Sequence, residues 1–259
     1  MTYPKSQVIV LRYHQHIPAP DPLTNADAEE RFSSYYRLQS TPSVLLNGSA
    51  VTNVGGFLHA APGIPAASEI YKGLKTLVDK QLAKKADVKV RVAAKVSGGN
   101  LQIAADVQGL DQLKEDDLQD LRLRVVIAED EVHFLARNSN GIRLHEMIVR
   151  KMIGGPDGTE VKDGKLTISE TIPLAELKSS LADYLAKYEE GEQMEFSAKP
   201  LELKRFHIVA FVQNDDSREV LQTAAKSVAV DGSTTSNTLT PATGNAPVKS
   251  SAKKLKPTE

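Results

Sequence analysis

His14, His16 and Asp21 are the residues near the start of the chain that could do chemistry together. Imidazole nitrogen and carboxylate oxygen are both metal donors, and residues two apart near a strand end share one face. A metal site needs three or four held ligands, and no third histidine stands at a fitting spacing. The chemistry expected here is therefore structural, with no metal and no cofactor. His14 anchors the proline loop Ile17-Pro18-Ala19-Pro20-Asp21-Pro22 through a hydrogen bond, and Asp21 caps or turns it.

A second group with chemical meaning is Thr41-Pro42, inside Ser40-Thr41-Pro42-Ser43-Val44-Leu45-Leu46-Asn47-Gly48. A polar cluster meets a proline, an apolar run follows, and Asn-Gly ends it. The run is too short for a buried helix and reads as a buried strand. Proline donates nothing to a ladder, so Pro42 belongs at the strand's first residue or at an edge. A Thr-Pro step at this place suits a cis peptide.

Other motifs fail on their spacing. His145-Glu146-Met147-Ile148-Val149 has valine where a zinc-protease helix needs its second histidine. Glu115, Asp116, Asp117 and Asp120 lack the alternation and glycine of a calcium loop. Gly154-Gly155-Pro156-Asp157-Gly158 has no Lys-Ser/Thr and no following helix, so it is no phosphate loop. Asn47-Gly48-Ser49 matches a glycosylation sequon, but Asn-Gly in a hairpin turn explains it. Cysteine is absent, which excludes thiol catalysis by this sequence. The 259 residues carry a formal net charge of -1, with 25% charged and 41% hydrophobic residues. No field and no basic stripe interleaved with aromatics points to nucleic acid. No apolar run approaches the roughly 18 residues of a membrane-spanning helix.

The elements that must position these residues follow from periodicity. Residues 6–14 are an apolar, β-branched run and predict a buried strand. Thr24 or Asn25 caps a helix whose apolar side is Phe32, Tyr35, Tyr36 and Leu38. Residues 51–57 pair back on the Thr41-Pro42 strand across Asn47-Gly48. Residues 66–86 predict a long amphipathic helix, with Ile70, Leu74, Leu77, Val78 and Leu82 at helical spacing. From Asp87 the period becomes two, and residues 88–96 and 101–107 form a hairpin across Ser97-Gly98-Gly99-Asn100. Further strands are expected over 121–128, 144–153, 165–172, 205–213 and 220–230. Pro173 opens a helix with Leu174, Leu177, Leu181, Tyr184, Leu185 and Tyr188 on one face. Many alternating strands predict a β-sandwich. The Ser, Thr, Ala, Pro and Lys of residues 231–259 predict a disordered tail.

An apolar strand ending in Tyr13-His14, then Asp21-Pro22, Arg31, Tyr35, Thr41-Pro42 and Asn47-Gly48, carries a resemblance to the thioredoxin-like superfamily. More narrowly the chain resembles the secreted families called domain of unknown function 1223 and Omp28-related, through Val149-Arg150-Lys151-Met152 and Val209-Ala210-Phe211-Val212-Gln213-Asn214. The resemblance implies an α/β plus all-β chain. Residues 1–86 would be an incomplete thioredoxin-like domain without its first strand and helix. Residues 87–230 would be an immunoglobulin-like antiparallel β-sandwich with an inserted helix. It also implies an extracytoplasmic place (periplasmic, surface or secreted), although no signal peptide follows Met1. Such families often carry Cys-x-x-Cys after the first strand. Its absence suggests an N-terminally truncated chain, in which residues 8–11 need a partner or other cover. In the thioredoxin-like families that this chain resembles, the backbone of the residue before a cis-proline at this place meets an extended peptide by strand addition, and Thr41 is that residue here. The competing reading is that Pro42 only shapes the turn. Thr41, Pro42, His14 and Asp21 are the candidate binding residues, and an extended peptide or protein along the Thr41-Pro42 edge is the candidate partner. The function expected is a non-catalytic binding or structural protein. The alternatives are a thiol-disulfide oxidoreductase whose cysteines lie upstream, and an adhesion module in which the sandwich matters.

Overall fold

A computed structural model describes residues 2–51, 67–135 and 141–230. The expected tail and most of the 51–57 arm lie outside the described residues.

Asn25 caps helix α1 (Ala26–Glu30), its side-chain oxygen accepting from the Ala28 amide at 3.1 Å. The helix then widens into a π turn over Arg31–Tyr35, with the Tyr36 amide bonded to the Arg31 carbonyl at 3.0 Å. Strands β1 (Leu45–Leu46) and β2 (Ser49–Ala50) form a hairpin across Asn47-Gly48. Helix α2 (Ala67–Leu82) ends before the residue 86 that its sequence pattern suggests.

The rest of the described chain is a set of antiparallel strands with few helices. Strands β3 (Lys89–Ser97) and β4 (Asn100–Gln108) form the predicted hairpin. The short helix α3 (Glu115–Leu118) leads to β5 (Leu121–Glu129), β6 (Val132–His133) and β7 (Leu144–His145). Strand β8 (Ile148–Ile153), β9 (Thr159–Glu160) and β10 (Thr167–Pro173) follow. Helix α4 (Leu174–Glu192) begins after Pro173, and β11 (Arg205–Asn214) and β12 (Val220–Ala229) close the order. The smaller sheet runs β10-β4-β3 and the larger β12-β11-β5-β8, with β9 also on β5.

One apolar core joins both sheets and α4. It contains Val90, Leu101 and Ile103 of the smaller sheet, Leu123, Val125, Ile127, Phe206 and Ile208 of the larger, and Leu177, Leu181 and Leu185 of the helix. Strict alternation on β5 and β11 sends the intervening residues to the opposite face. There Val126, Ala128, Val209 and Phe211 meet a smaller apolar cluster that includes Ile9, Leu11 and Tyr13.

Three strand expectations are corrected. Residues 6 and 7 lie in a turn, residues 8–14 make one parallel bridge among the described residues, Arg12 to Ile148, and Val10 is 60% exposed. Among the described residues the segment's backbone bonds to the sheet only at the β8 edge, where the Arg12 amide donates to the Met147 carbonyl and the Arg12 carbonyl accepts from the Val149 amide. The 44–46 run is half-buried, and among the described residues its ladder is the two-residue pairing with β2. The expected strand over 144–153 is divided at Met147, whose φ of +55° is incompatible with a ladder.

The Asn-Gly turn does more than close a hairpin. A Cβ on Gly48 (φ +84°) would lie 1.7 Å from the Arg218 carbonyl oxygen. Only glycine lets this tip press onto the β11–β12 turn, where Asn47 also accepts from the Val220 amide at 2.9 Å.

Candidate functional site

The proline loop brings the four candidate residues together. His14 Nδ1 and Asp21 Oδ2 are 2.7 Å apart, and the other Asp21 oxygen accepts from the Leu23 amide at 2.8 Å. The Asp21 amide donates to His16 Nδ1 at 3.0 Å, so the neutral His16 ring carries its proton on Nε2 and donates to the Tyr184 hydroxyl at 2.9 Å. Thr41 Oγ1 donates to the Ile17 carbonyl at 2.8 Å, which ties the Thr41-Pro42 turn to the loop. Both Ile17–Pro18 and Thr41–Pro42 are cis.

The electrostatics of this loop follow from burial and pairing. Burial pushes the Asp21 carboxyl up, but the bond and charge of His14 outweigh it and hold the group below the usual range. Burial lowers His16, whose ring stacks 3.6 Å from Tyr188. His145 meets the His14 ring edge-on at 5.5 Å and is likewise lowered by burial. His145 Nε2 lies 3.0 Å from the Phe134 carbonyl, which fixes its proton there. Among the described residues, no group of histidine and carboxylate side chains is arranged to hold a metal ion. Asp21 spends both carboxylate oxygens, and His14 its Nδ1, on shaping the loop. The Thr41 side chain is likewise occupied, which leaves backbone and surface rather than a reactive group.

The concave surface lies beside this loop. A cleft of about 300 Å³ opens between residues 2–12, helix α2 and the larger sheet. Val8, Ile9 and Val10 form one wall, Leu74 and Val78 of α2 the opposite one, and Met147 and Ala225 the floor. Polar contacts hold the walls: the Tyr3 hydroxyl donates to Asp79 at 2.7 Å, and Thr2 and Tyr71 share a hydrogen bond at 2.6 Å. The backbone groups of Ile9, Val10 and Leu11 form no hydrogen bond among the described residues. Ile9 and Val10, with no backbone hydrogen bond among the described residues, thus line an apolar cleft.

Under the cleft runs a chain of bonds that the sequence did not announce. Lys5 Nζ lies 2.8 Å from Asp130 Oδ2, His207 Nε2 lies 2.9 Å from the same oxygen, and Ser227 Oγ lies 3.1 Å from His207 Nδ1. Burial alone would raise the Asp130 carboxyl, but His207 and Lys5 hold it far below the usual carboxylate range. Serine, imidazole and carboxylate stand in the order of a nucleophile, a base and its orienting acid. Asp130, however, is shared with the Lys5 ammonium, and Ser227 is the direct cross-strand partner of His207 in the ladder. The chain therefore fastens residue 5 to the sheet. The signal available in the sequence was His207 inside an otherwise apolar strand, and Asp130 at the end of another.

No family model matches the sequence, and no curated protein does. Among solved structures, the chain is similar to a domain of the outer membrane lipoprotein Omp28 from Porphyromonas gingivalis. That likeness has 16% identity and a TM-score of 0.31, over 57% of this chain and 92% of that one.

Proposed function

We propose that this chain is a non-catalytic binding protein that takes up an extended polypeptide segment by strand addition. One observation carries the reading: Ile9 and Val10 have no backbone hydrogen bond among the described residues, and both line the apolar cleft. Main-chain groups in that state bind another strand, while apolar walls select alternate side chains. Among the described residues, the edge of β1 that does not face β2 has no strand partner and adds a second short stretch near Thr41 and Pro42. Both stretches belong to the region the resemblance assigns to an incomplete thioredoxin-like domain, and the extracytoplasmic place is proposed on that resemblance.

The test is a panel of ten-residue peptides alternating valine with lysine or threonine, each made with and without N-methyl groups on one edge. Strand addition predicts saturable binding that falls roughly 2–10-fold for each hydrogen bond the N-methyl groups remove. Equal affinity for the plain and methylated peptides would show side-chain recognition alone and end the strand-addition reading.

A further inference from the structure

The face of the larger sheet under the N-terminal region also holds two guanidinium groups. Arg31 is 2% exposed and Arg124 is 0% exposed. Both donate to one oxygen: Gln213 Oε1 accepts from Arg31 Nη2 at 2.9 Å and from Arg124 Nη1 at 3.2 Å. The Gln213 amide nitrogen is committed as well, donating to the Tyr36 hydroxyl at 3.0 Å and the Arg218 carbonyl at 2.7 Å. Like charges drawn onto one neutral acceptor in a buried place repel each other more than they would in water.

One carboxylate meets them. Asp215 Oδ1 lies 2.8 Å from Arg124 Nη1 and accepts from the Tyr35 hydroxyl at 2.8 Å. Asp215 Oδ2 also lies 3.7 Å from Arg122 Nε, so its charge is divided. Arg31 has ring faces instead of a carboxylate: its guanidinium carbon sits 3.8 Å from the centre of the Tyr35 ring and 4.7 Å from that of Tyr36. Arg124 and Arg218 approach the Tyr35 ring at 4.7 and 5.8 Å. The neighbouring phenols supply no negative charge, because burial pushes the hydroxyls of Tyr13 and Tyr35 up to about 12.

Three buried donor atoms are left over. Among the described residues, Arg31 Nε, Arg31 Nη1 and Arg124 Nη2 have no hydrogen-bond partner. Leaving a buried guanidinium N–H unpaired costs stability, and here several are held side by side. The π turn makes this arrangement, since it carries Tyr35 and Tyr36 back against the side chain of the residue where it starts. Such turns recur at functional sites. Half-buried Tyr35, Tyr36 and Arg218 form the rim toward solvent.

We propose that this cluster is an oxyanion-binding site, in which a phosphate, sulfate or carboxylate group accepts from the free N–H groups of Arg31 with Arg124 beside it. A planar guanidinium with free donors is the group that recognises such anions. The site is separate from the apolar cleft, and each stands or falls alone.

The test follows the Arg31 Nε–H signal by ¹⁵N NMR in the full chain while sodium phosphate, sodium sulfate or sodium acetate is added at constant ionic strength made up with chloride. The expected result is a saturable shift of that signal with at least one oxyanion and none with chloride. Saturation by phosphate or sulfate assigns a free or esterified tetrahedral anion, and saturation by acetate alone assigns a carboxylate. At about 100 times the half-saturating concentration, the midpoint of thermal unfolding should rise by roughly 5–10 °C. Arg31→Lys keeps the charge but removes the free donors, and should abolish the thermal shift. Arg91→Gln, which breaks an exposed pair with Asp106 on the other sheet, should keep it. An Arg31 signal that does not move, or moves linearly without saturation, overturns the proposal, and the wild-type titration gives that answer even if Arg31→Lys does not fold.

Discussion

The two faces of the larger sheet are covered by different means. One face meets the smaller sheet and α4 mainly through apolar side chains, such as Phe206, Ile208, Val125 and Leu181, with the buried Arg150–Glu129 pair beside Leu203 at its edge. The other face meets the N-terminal region through a small apolar cluster interrupted by Arg124, His207 and Gln213, all of them buried. Apolar burial is undirected and costs nothing to match. Buried polar contacts hold only where each donor finds its acceptor, and they are lost in steps. The first face is built for permanence. The second is a fitted surface that can be loosened, and both proposed binding places lie on it.

The largest effect expected from this difference is on the first face. Phe206→Ala removes a fully buried ring from the shared core and should cost about 3–5 kcal/mol in denaturant unfolding. Because β11 is central to both faces, slow amide exchange should be lost across the whole sheet together. Retained protection at Val126 with loss only at Ile208 would show that the faces are not coupled through β11, and would break the comparison.

A smaller and local effect is expected on the second face. Gly48→Ala places a methyl group on the Arg218 carbonyl and at 2.9 Å from Gln213 Nε2, in a backbone conformation unsuited to alanine. Its cost should be about 1–3 kcal/mol, mainly from overpacking. Exchange at the Val220 amide, which bonds to Asn47, should quicken while Ile208 stays protected. Equal loss at both amides would mean that the N-terminal cover is as integral as the core.

The first face was legible in the sequence and the second was not. Period-two alternation over residues 88–96, 101–107 and 121–128 gave the strands, and the leucines after Pro173 gave α4 and its buried side. Those patterns are local, and the core follows from them. The cover is made of pairs far apart in the chain: Arg31 with Gln213, Lys5 with Asp130, Tyr35 with Asp215. A buried arginine on a strand reads in sequence as a solvated one, so Arg124 and Arg150 gave no warning. The apolar run over 6–14 misled because apolarity reports burial and not pairing. Its residues are partly covered by α2 and the sheet, yet they join only one bridge. The His14–Asp21 anchor was legible, since both partners lie in one short loop.

The smallest expected effect is the most selective, and it comes from acidification. His16 and His145 sit at the contacts of the N-terminal region and are both lowered from 6.5, chiefly by burial. Glu29, Asp21 and Glu192 pull His16 the other way and are outweighed. As pH falls through 6.5, the unfolded chain takes up protons on these rings before the folded chain does. Stability contributed by the neutral rings is therefore complete above 6.5 and is lost as pH drops toward their folded values. Asp21 and Asp130, held low by their partners, lose their contributions only further down, below the ordinary carboxylate value of 3.8. Glu129 beside Arg150 acts in the opposite sense: burial raises it, so holding it ionised costs stability above its ordinary 4.5. Between pH 7.5 and 5, exchange at the Arg12 and Val149 amides, corrected for its intrinsic pH dependence, should quicken by roughly a few-fold. The Ile208 amide should not follow. His16→Gln should remove part of the change at Arg12. If Ile208 loosens in step with Arg12, the cover and the core open as one unit, and the two faces differ in composition but not in stability.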